Sequence, residues 1–305
     1  MESRGVPSSS SHLQQKRFQT KSQSVFETLL RQSSPEDIIR LSLRILPQQI
    51  PGCWVSNIEF GTAIRLRLGL PLGIPLPPIC ACGENSDKQG SHFLKCKLGG
   101  EWISRHNMIV HVVATIAKAS GFLIQQELPL SIITLRSSNP PPPGIMDQVV
   151  TSGDFNTNIL ANVTITHPFP ASTSRITPSM LHPVHFTRLK QSHKINKYQN
   201  TARLLGASIS PLAMETYGAV GPSFQKFLHL CANAYLQKIF LSRPTPEELH
   251  KSVIKRSWRS GTPCALQKAN VRLLFSKASR STGLNQLGQR PHYVDIVEVF
   301  VVRIR

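Results

Sequence analysis

Three of the six cysteines in this 305-residue chain fall within seventeen residues, between Cys80 and Cys96. One residue separates Cys80 from Cys82, and His92 and Cys96 follow at short intervals. Three thiolates and one imidazole are ligands that a tetrahedral zinc ion takes. The alternative is that the cysteines are small buried hydrophobic residues and that His92 is a polar loop residue. We predict a structural zinc knuckle over residues 80–103, with all four ligand positions supplied by the protein.

The chain carries 35 Lys and Arg residues against 16 Asp and Glu residues, a net charge of +19. Such a charge favours a polyanionic partner, and nucleic acid is the commonest one because neutralised phosphates release counterions. The alternative is that the charge only maintains solubility. The sequence has neither a run of about 20 apolar residues for a membrane span nor the apolar region of a secretion signal. We therefore expect a nucleic-acid partner, no membrane partner, and an intracellular, nuclear location.

Composition divides the chain into segments. Residues 1–24 are rich in Ser, Gln, Lys and Arg, which predicts a disordered basic arm. Residues 25–79 carry helical patterns and end in the proline-broken connector PLGIPLPPI. Residues 242–280 have no acidic residue after Glu248, and we predict a basic C-terminal segment there. Residues 281–305 form a tail to which we assign no role.

Between these segments the spacing of apolar residues changes along the chain. The stretch RHNMIVHVVATIAKASG has apolar residues on one helical face and a glycine at its end. Three short runs rich in β-branched residues, near 122–130, 144–150 and 159–166, predict strands. A basic helix, a fourth strand and an apolar helix come after them. Because a sheet needs helices to cover its apolar faces, we predict an α/β core over residues 104–241.

The stretch AIRLRLGLPLGIPLPPICACGENSDKQGSHFLKCKLGGEWISRHN resembles a region of the reverse-transcriptase polyproteins of non-LTR retrotransposons. In that family an RLGLP-like stretch, a zinc knuckle and an Arg-His-Asn helix start precede a restriction-endonuclease-like domain. The later stretches HKINKY, PLAMETYGAVG and SWRSGTPCALQKANVRLL are similar to segments further along those polyproteins. The resemblance implies an α/β fold with a PD-(D/E)xK restriction-endonuclease-like core, preceded by helices and a small zinc knuckle. It also implies that the chain is a drifted fragment of such an element.

The resemblance also implies roles for individual residues. It assigns structural zinc to Cys80, Cys82, His92 and Cys96. It assigns catalysis to the metal-binding Asp147, the second-ligand position Asn162 and a lysine, either Lys194 or Lys197, and Glu127 is a further candidate carboxylate. Arg105 and His106 stand at the head of the first core helix, and the candidate nucleic-acid-binding residues are Arg105, His106, Lys255, Arg256 and Arg259. The alternative is that Asp147 and Glu127 are solvated acids and that the two lysines form a solvated helix face.

Phosphodiester cleavage by such a core requires Mg²⁺ or Mn²⁺ held by oxygen ligands, with a lysine nearby. The family has an acidic residue where this chain has Asn162, and four consecutive prolines stand before Asp147 in place of the usual single one. We therefore expect a nucleic-acid-binding, endonuclease-like protein whose cleavage is impaired. One alternative is a non-catalytic zinc-knuckle protein that binds DNA or RNA, with Trp258 and Phe275 stacking on bases. Another is a structural protein without a nucleic-acid role.

Overall fold

The computed structural model describes residues 56–129, 145–152, 158–168, 184–242 and 247–282. The predicted basic arm and most of the C-terminal tail lie outside these ranges. The elements follow one another in the order α1 (Asn57–Arg67), α2 (Ser91–Lys95), α3 (Glu101–Ala119), β1 (Leu123–Pro129), β2 (Ile145–Thr151), β3 (Asn158–Thr166), α4 (His185–Leu204), β4 (Ala207–Glu215), α5 (Pro222–Ser242) and α6 (Glu247–Thr282). None of the described helices is both long enough and apolar enough to cross a membrane.

The four strands form one mixed sheet in the order β1-β2-β3-β4. The strand β2 runs antiparallel to both of its neighbours, whereas β3 and β4 are parallel from Asn158↔Ala207 to Thr166↔Glu215. The connection between these two parallel strands contains α4, as a crossover requires. The α/β class, the three predicted strands and the helix–strand–helix order after them are confirmed.

Helices bury both faces of the sheet. On one face, Ala161 and Val163 of β3 pack in a cluster with residues of α3, α5 and α6. On the other face, Leu160 packs with Met146 of β2 and with Tyr198 of α4. Alternating residues of β3 therefore face opposite layers, as expected for a regular strand.

The helix α6 is part of the core over residues 258–280, where its side chains are described, and this burial was not anticipated by the prediction of a basic C-terminal segment over residues 242–280. Its residues Trp258, Leu266 and Leu274 are almost fully buried. The indole of Trp258 lies against the ring of Tyr235, with the ring centroids 5.3 Å apart, so it is not available to stack on a base. The segment is rich in Lys and Arg, but its apolar residues recur at helical spacing and form one buried face.

A buried hydrogen-bond network joins α6 to three other parts of the chain. The amide of Asn270 donates to the Thr216 carbonyl oxygen at 2.7 Å, and its Oδ1 accepts from the Arg105 guanidinium at 3.1 Å. The same guanidinium donates to the carbonyl oxygen of Leu94 in α2 at 3.0 Å. This network holds the ends of α2, α3 and β4 against α6.

We predict that Asn270→Ala lowers the free energy of unfolding by about 1–3 kcal/mol, because it leaves a buried guanidinium and a buried carbonyl short of a partner. Denaturant unfolding measures this change. The matched control is Asn233→Ala, at an exposed position of α5, which should change stability by less than about 0.5 kcal/mol. Equal effects of the two substitutions would contradict the structural role of the network.

Candidate functional site

The first two cysteines of the cluster lie on a tight turn. The Cys80 N–H donates to the Glu84 carbonyl oxygen at 2.9 Å, and the Gly83 N–H donates to the Cys80 carbonyl oxygen at 2.8 Å. Gly83 has a φ of 86°, a left-handed conformation that favours glycine. The turn therefore presents Cys80 and Cys82 from one short loop.

The other two ligands belong to the short helix α2 and its end. Asp87 accepts hydrogen bonds from the backbone N–H groups of Ser91 and His92, both at 2.8 Å, and so caps the start of the helix. Gly90 precedes the helix with a φ of 72°, and a Cβ there would lie 2.7 Å from the Leu72 side chain. This close packing fixes the direction in which α2 leaves the turn.

The four side chains converge as predicted. The Cys80 and Cys96 sulfur atoms are 3.7 Å apart, and the Cys82 sulfur lies 3.3 Å from His92 Nε2. All four ligand atoms lie within 4.8 Å of one another. Ligands at the corners of a tetrahedron around zinc are roughly 3.5–3.8 Å apart, so these residues lie close enough to bind a metal such as zinc.

The pKa shifts of His92 and Cys82 favour the forms that bind a metal. Burial lowers the pKa of His92, although the charge of Asp87 opposes the change, and a metal requires the neutral imidazole. A hydrogen bond from the Glu84 backbone lowers the pKa of Cys82 and so favours its thiolate. Burial raises the pKa of Cys96, which opposes its thiolate, so a metal bound there would have to displace the proton of this thiol.

A second group of candidate residues lies where β2 and β3 separate, a place that we call the strand fork. The β2–β3 ladder ends at Gln148↔Ala161, while β2 continues beside β1 to Ile145. Beyond this point the Val163 N–H donates a hydrogen bond to the Asp147 carboxylate, at 2.6 Å, instead of to a backbone carbonyl of β2. The side chain of Asp147 thus substitutes for the missing ladder bond.

His106 of α3 also reaches the strand fork. Its Nε2 lies 3.5 Å from Asp147 Oδ2 and 3.3 Å from the Val163 carbonyl oxygen. Its Nδ1 lies 3.2 Å from Asn107 Oδ1. Burial opposes a charge on this imidazole, but the hydrogen bond and charge of Asp147 outweigh burial, and the pKa of His106 is raised.

The other predicted carboxylate positions flank Asp147. On β3, Asn162 lies opposite Asp147, one position beyond the last paired residues of β2 and β3. On β1, the register with β2 places Glu127 opposite Asp147. Asn162 is 4 % exposed, and its Oδ1 has no hydrogen-bond partner among the described residues. Because alternate residues of a strand face the same side, Asn162 points with Leu160 toward the face of the sheet that α4 covers. Glu127 is exposed and has a φ of 53°, which is uncommon for a residue other than glycine.

The two candidate lysines lie on one face of α4, as their spacing predicts. The Nζ atoms of Lys194 and Lys197 lie 5.4 and 5.0 Å from the ring centroid of Tyr198. Tyr198 packs against Leu160 on the sheet. The lysines are therefore on the side of the sheet toward which strand alternation directs Asn162, whereas Asp147 contacts α3.

The predicted nucleic-acid-binding residues have different environments. Arg105 is buried and bonded within the protein, and burial lowers its pKa to about 10, so the expected contact with nucleic acid does not fit its position. Arg259 is exposed on α6. The side chains of Lys255 and Arg256 lie outside the described residues.

An exposed aromatic residue close to both sites was missed. Trp102 is 36 % exposed in the first turn of α3, and the Lys97 Nζ lies 5.9 Å from its ring centroid. Ile103 and Leu98 beside it are also exposed. The predicted helix began only at Arg105. An extension by one turn to Glu101 would have placed Trp102 and His106, four residues apart, on one helical face and indicated this surface.

Comparisons with protein-family models and with curated proteins give no match to this chain. Its function therefore has to be inferred from the residues and their geometry.

We predict about one zinc ion per purified chain, held by the Cys/His cluster. Cys96→Ser should lower the zinc content and the thermal midpoint, because a hydroxyl is a poorer ligand than a thiolate. Elemental analysis and thermal unfolding measure the two effects. Cys264→Ala, a cysteine of α6 outside the cluster, is the control and should retain the zinc. Equal zinc content in both variants would contradict the assignment.

Proposed function

We propose that this chain is a nuclear, nucleic-acid-binding protein derived from a non-LTR retrotransposon, with a zinc knuckle and a PD-(D/E)xK restriction-endonuclease-like core. We further propose that its metal-dependent DNA cleavage is impaired by Asn162. The observation that carries the proposal is that Asp147 of β2 lies at the strand fork, next to position 162 of β3. The position of α3 directly after the Cys/His cluster adds support.

The arrangement of the core supports the endonuclease-like part. The elements from α3 to β4 follow the order helix, three strands, helix, strand. Asp147 and Asn162 stand at adjacent positions of neighbouring strands. Because Asp147 contacts α3 and strand alternation directs Asn162 to the α4 face, a shared cation requires the Asn162 side chain to turn toward the strand fork. Lys194 and Lys197 lie on the helix that covers one face of this sheet.

The chemistry at position 162 explains why cleavage would be weak. Phosphodiester hydrolysis needs Mg²⁺ or Mn²⁺ to activate water and to stabilise the charge that develops on the phosphate. The residues that would hold it are Asp147 and Asn162, but an amide oxygen carries no charge and attracts a cation less than a carboxylate does. Only Asp147 would then supply a negative charge.

The start of α3 supports nucleic-acid binding. Lys97 and the exposed Trp102 combine a positive charge with a ring on which a base can stack. Arg280 of α6 is 60 % exposed and lies 2.7 Å from Glu101, which begins the same helix. With the net charge of +19, this surface suits the backbone and bases of a polynucleotide.

We expect the unaltered chain to bind DNA or RNA with an affinity that falls roughly a hundredfold between about 50 and about 200 mM salt, because phosphate contacts release counterions. Fluorescence anisotropy with labelled duplex and single-stranded probes measures this. The same preparation should nick plasmid DNA weakly or not at all with Mg²⁺ or Mn²⁺. Affinity that does not change with salt would contradict the binding proposal, and efficient nicking would contradict the impairment.

Asn162→Asp should raise metal-dependent plasmid nicking by about tenfold or more, since it restores the acidic residue that the resembled family has at this position. The control is Asn158→Asp, the same substitution at the start of β3, which should give no gain. Adding Asp147→Ala to the Asn162→Asp chain should abolish the gain. A gain that persists without Asp147 would place the cleavage site elsewhere.

A non-catalytic binding protein is the second candidate. The observation that favours it is that the Asp147 carboxylate is already in contact with the Val163 N–H and with His106. If this candidate is correct, the chain binds nucleic acid with the stated salt dependence, while Asn162→Asp gives no nicking.

A further inference from the structure

Val163 offers two backbone groups at the strand fork. The N–H and C=O of one strand residue project to the same side, and for Val163 that side is the one from which β2 has separated. The N–H donates to Asp147, and the carbonyl oxygen lies 3.3 Å from His106 Nε2. A carboxylate oxygen, an imidazole nitrogen and a carbonyl oxygen therefore meet at one place.

We propose that Asp147, His106 and the Val163 carbonyl oxygen form a divalent-cation site that prefers a transition metal such as Mn²⁺ to Mg²⁺. This inference rests on the proposed function and deepens it, because His106 takes the place of the missing second carboxylate as a side-chain ligand. Imidazole suits transition metals better than Mg²⁺, which prefers an all-oxygen octahedron.

The distances agree with such a site. Ligands about 2.1–2.2 Å from one cation are roughly 3.0–3.5 Å apart. His106 Nε2 lies 3.5 Å from Asp147 Oδ2 and 3.3 Å from the Val163 oxygen. The His106 and Asp147 side chains are 27 % and 16 % exposed, so an ion can enter and water can complete its coordination.

The surroundings of His106 favour a ligand role. A metal-binding histidine generally donates its second ring N–H to an oxygen, which fixes the tautomer and the ring orientation. Here the His106 Nδ1 lies 3.2 Å from Asn107 Oδ1. With the proton on Nδ1, the Nε2 lone pair faces Asp147 and Val163. Asn107 is thus a positioning residue for this site.

The test is Mn²⁺ binding by the full, zinc-loaded chain at pH 8, followed by the electron paramagnetic resonance signal of free Mn²⁺. We expect one Mn²⁺ site, with Mg²⁺ competing only at much higher concentration. His106→Gln and Asp147→Asn should each weaken Mn²⁺ binding at least about tenfold. The control, His193→Gln at an exposed position of α4, should bind Mn²⁺ as the unaltered chain does.

A spin-echo measurement on the bound ion gives a direct signature. We expect a nitrogen coupling from imidazole in the unaltered chain and its loss in His106→Gln. If His106→Gln does not fold, Asn107→Ala keeps the test decisive, and it should weaken Mn²⁺ binding by roughly tenfold. Unchanged Mn²⁺ affinity in His106→Gln, or equal affinity for Mg²⁺, would overturn the site.

Nucleic-acid binding by the same variants separates this inference from the proposed function. A chain that binds nucleic acid but not Mn²⁺ overturns the cation site and leaves the binding function standing. A chain that binds Mn²⁺ through His106 but shows no salt-dependent nucleic-acid binding supports the site and overturns the function.

Discussion

The buried guanidinium of Arg105 is the interaction on which the arrangement of both candidate sites depends. A buried charge is costly unless it is hydrogen-bonded, and Arg105 finds acceptors in Leu94 of α2 and Asn270 of α6. These bonds hold α2, the helix that carries His92, against the N-terminal part of α3. The next residue along the chain, His106, then reaches Asp147 at the strand fork. Adjacent residues of α3 thereby contact the helix α2 of the Cys/His cluster and the Asp147 carboxylate of the strand fork.

The contacts of Arg105 join the Cys/His cluster to α3 as well as to α6. A segment as short as residues 80–96 has too little apolar surface to hold its shape alone, and a metal bound by its four ligands would contribute to its folding free energy. Its apolar residues Phe93 and Leu94 pack against Leu274 of α6. Ordering of the cluster therefore orders the start of α3, and with it the exposed ring of Trp102 and the imidazole of His106.

Local signals in the sequence predicted the features that depend on local geometry. The Cys/His spacing indicated the cluster, because a turn and a short helix are enough to bring its four ligands together. The β-branched runs indicated the strands, and their neighbouring positions placed Asp147 beside Asn162. The contact of His106 with Asp147 was not predicted, because it depends on how a helix lies on a sheet.

The errors have the same physical origin. Arg105 was assigned to nucleic acid from the resemblance, and its burial was not foreseen because its partner Asn270 lies 165 residues away and no sequence pattern joins the two. The basic composition of α6 indicated a surface, yet the apolar residues that it places at helical spacing are buried. Trp258 was expected to stack on bases for the same reason. The net charge of a segment does not predict its burial, because a helix can carry its charged residues on one face and bury the other.

Hydrogen–deuterium exchange of the full chain, with and without a bound nucleic acid, tests most directly whether the start of α3 is the binding surface. We expect protection on binding in residues 97–106, where Lys97 and Trp102 lie, and at the strand fork around Asp147 and Val163. Protection confined to residues 1–24, with unchanged exchange in both of these places, would show that the basic arm alone binds nucleic acid. That result would contradict the assignment of the binding surface to the start of α3.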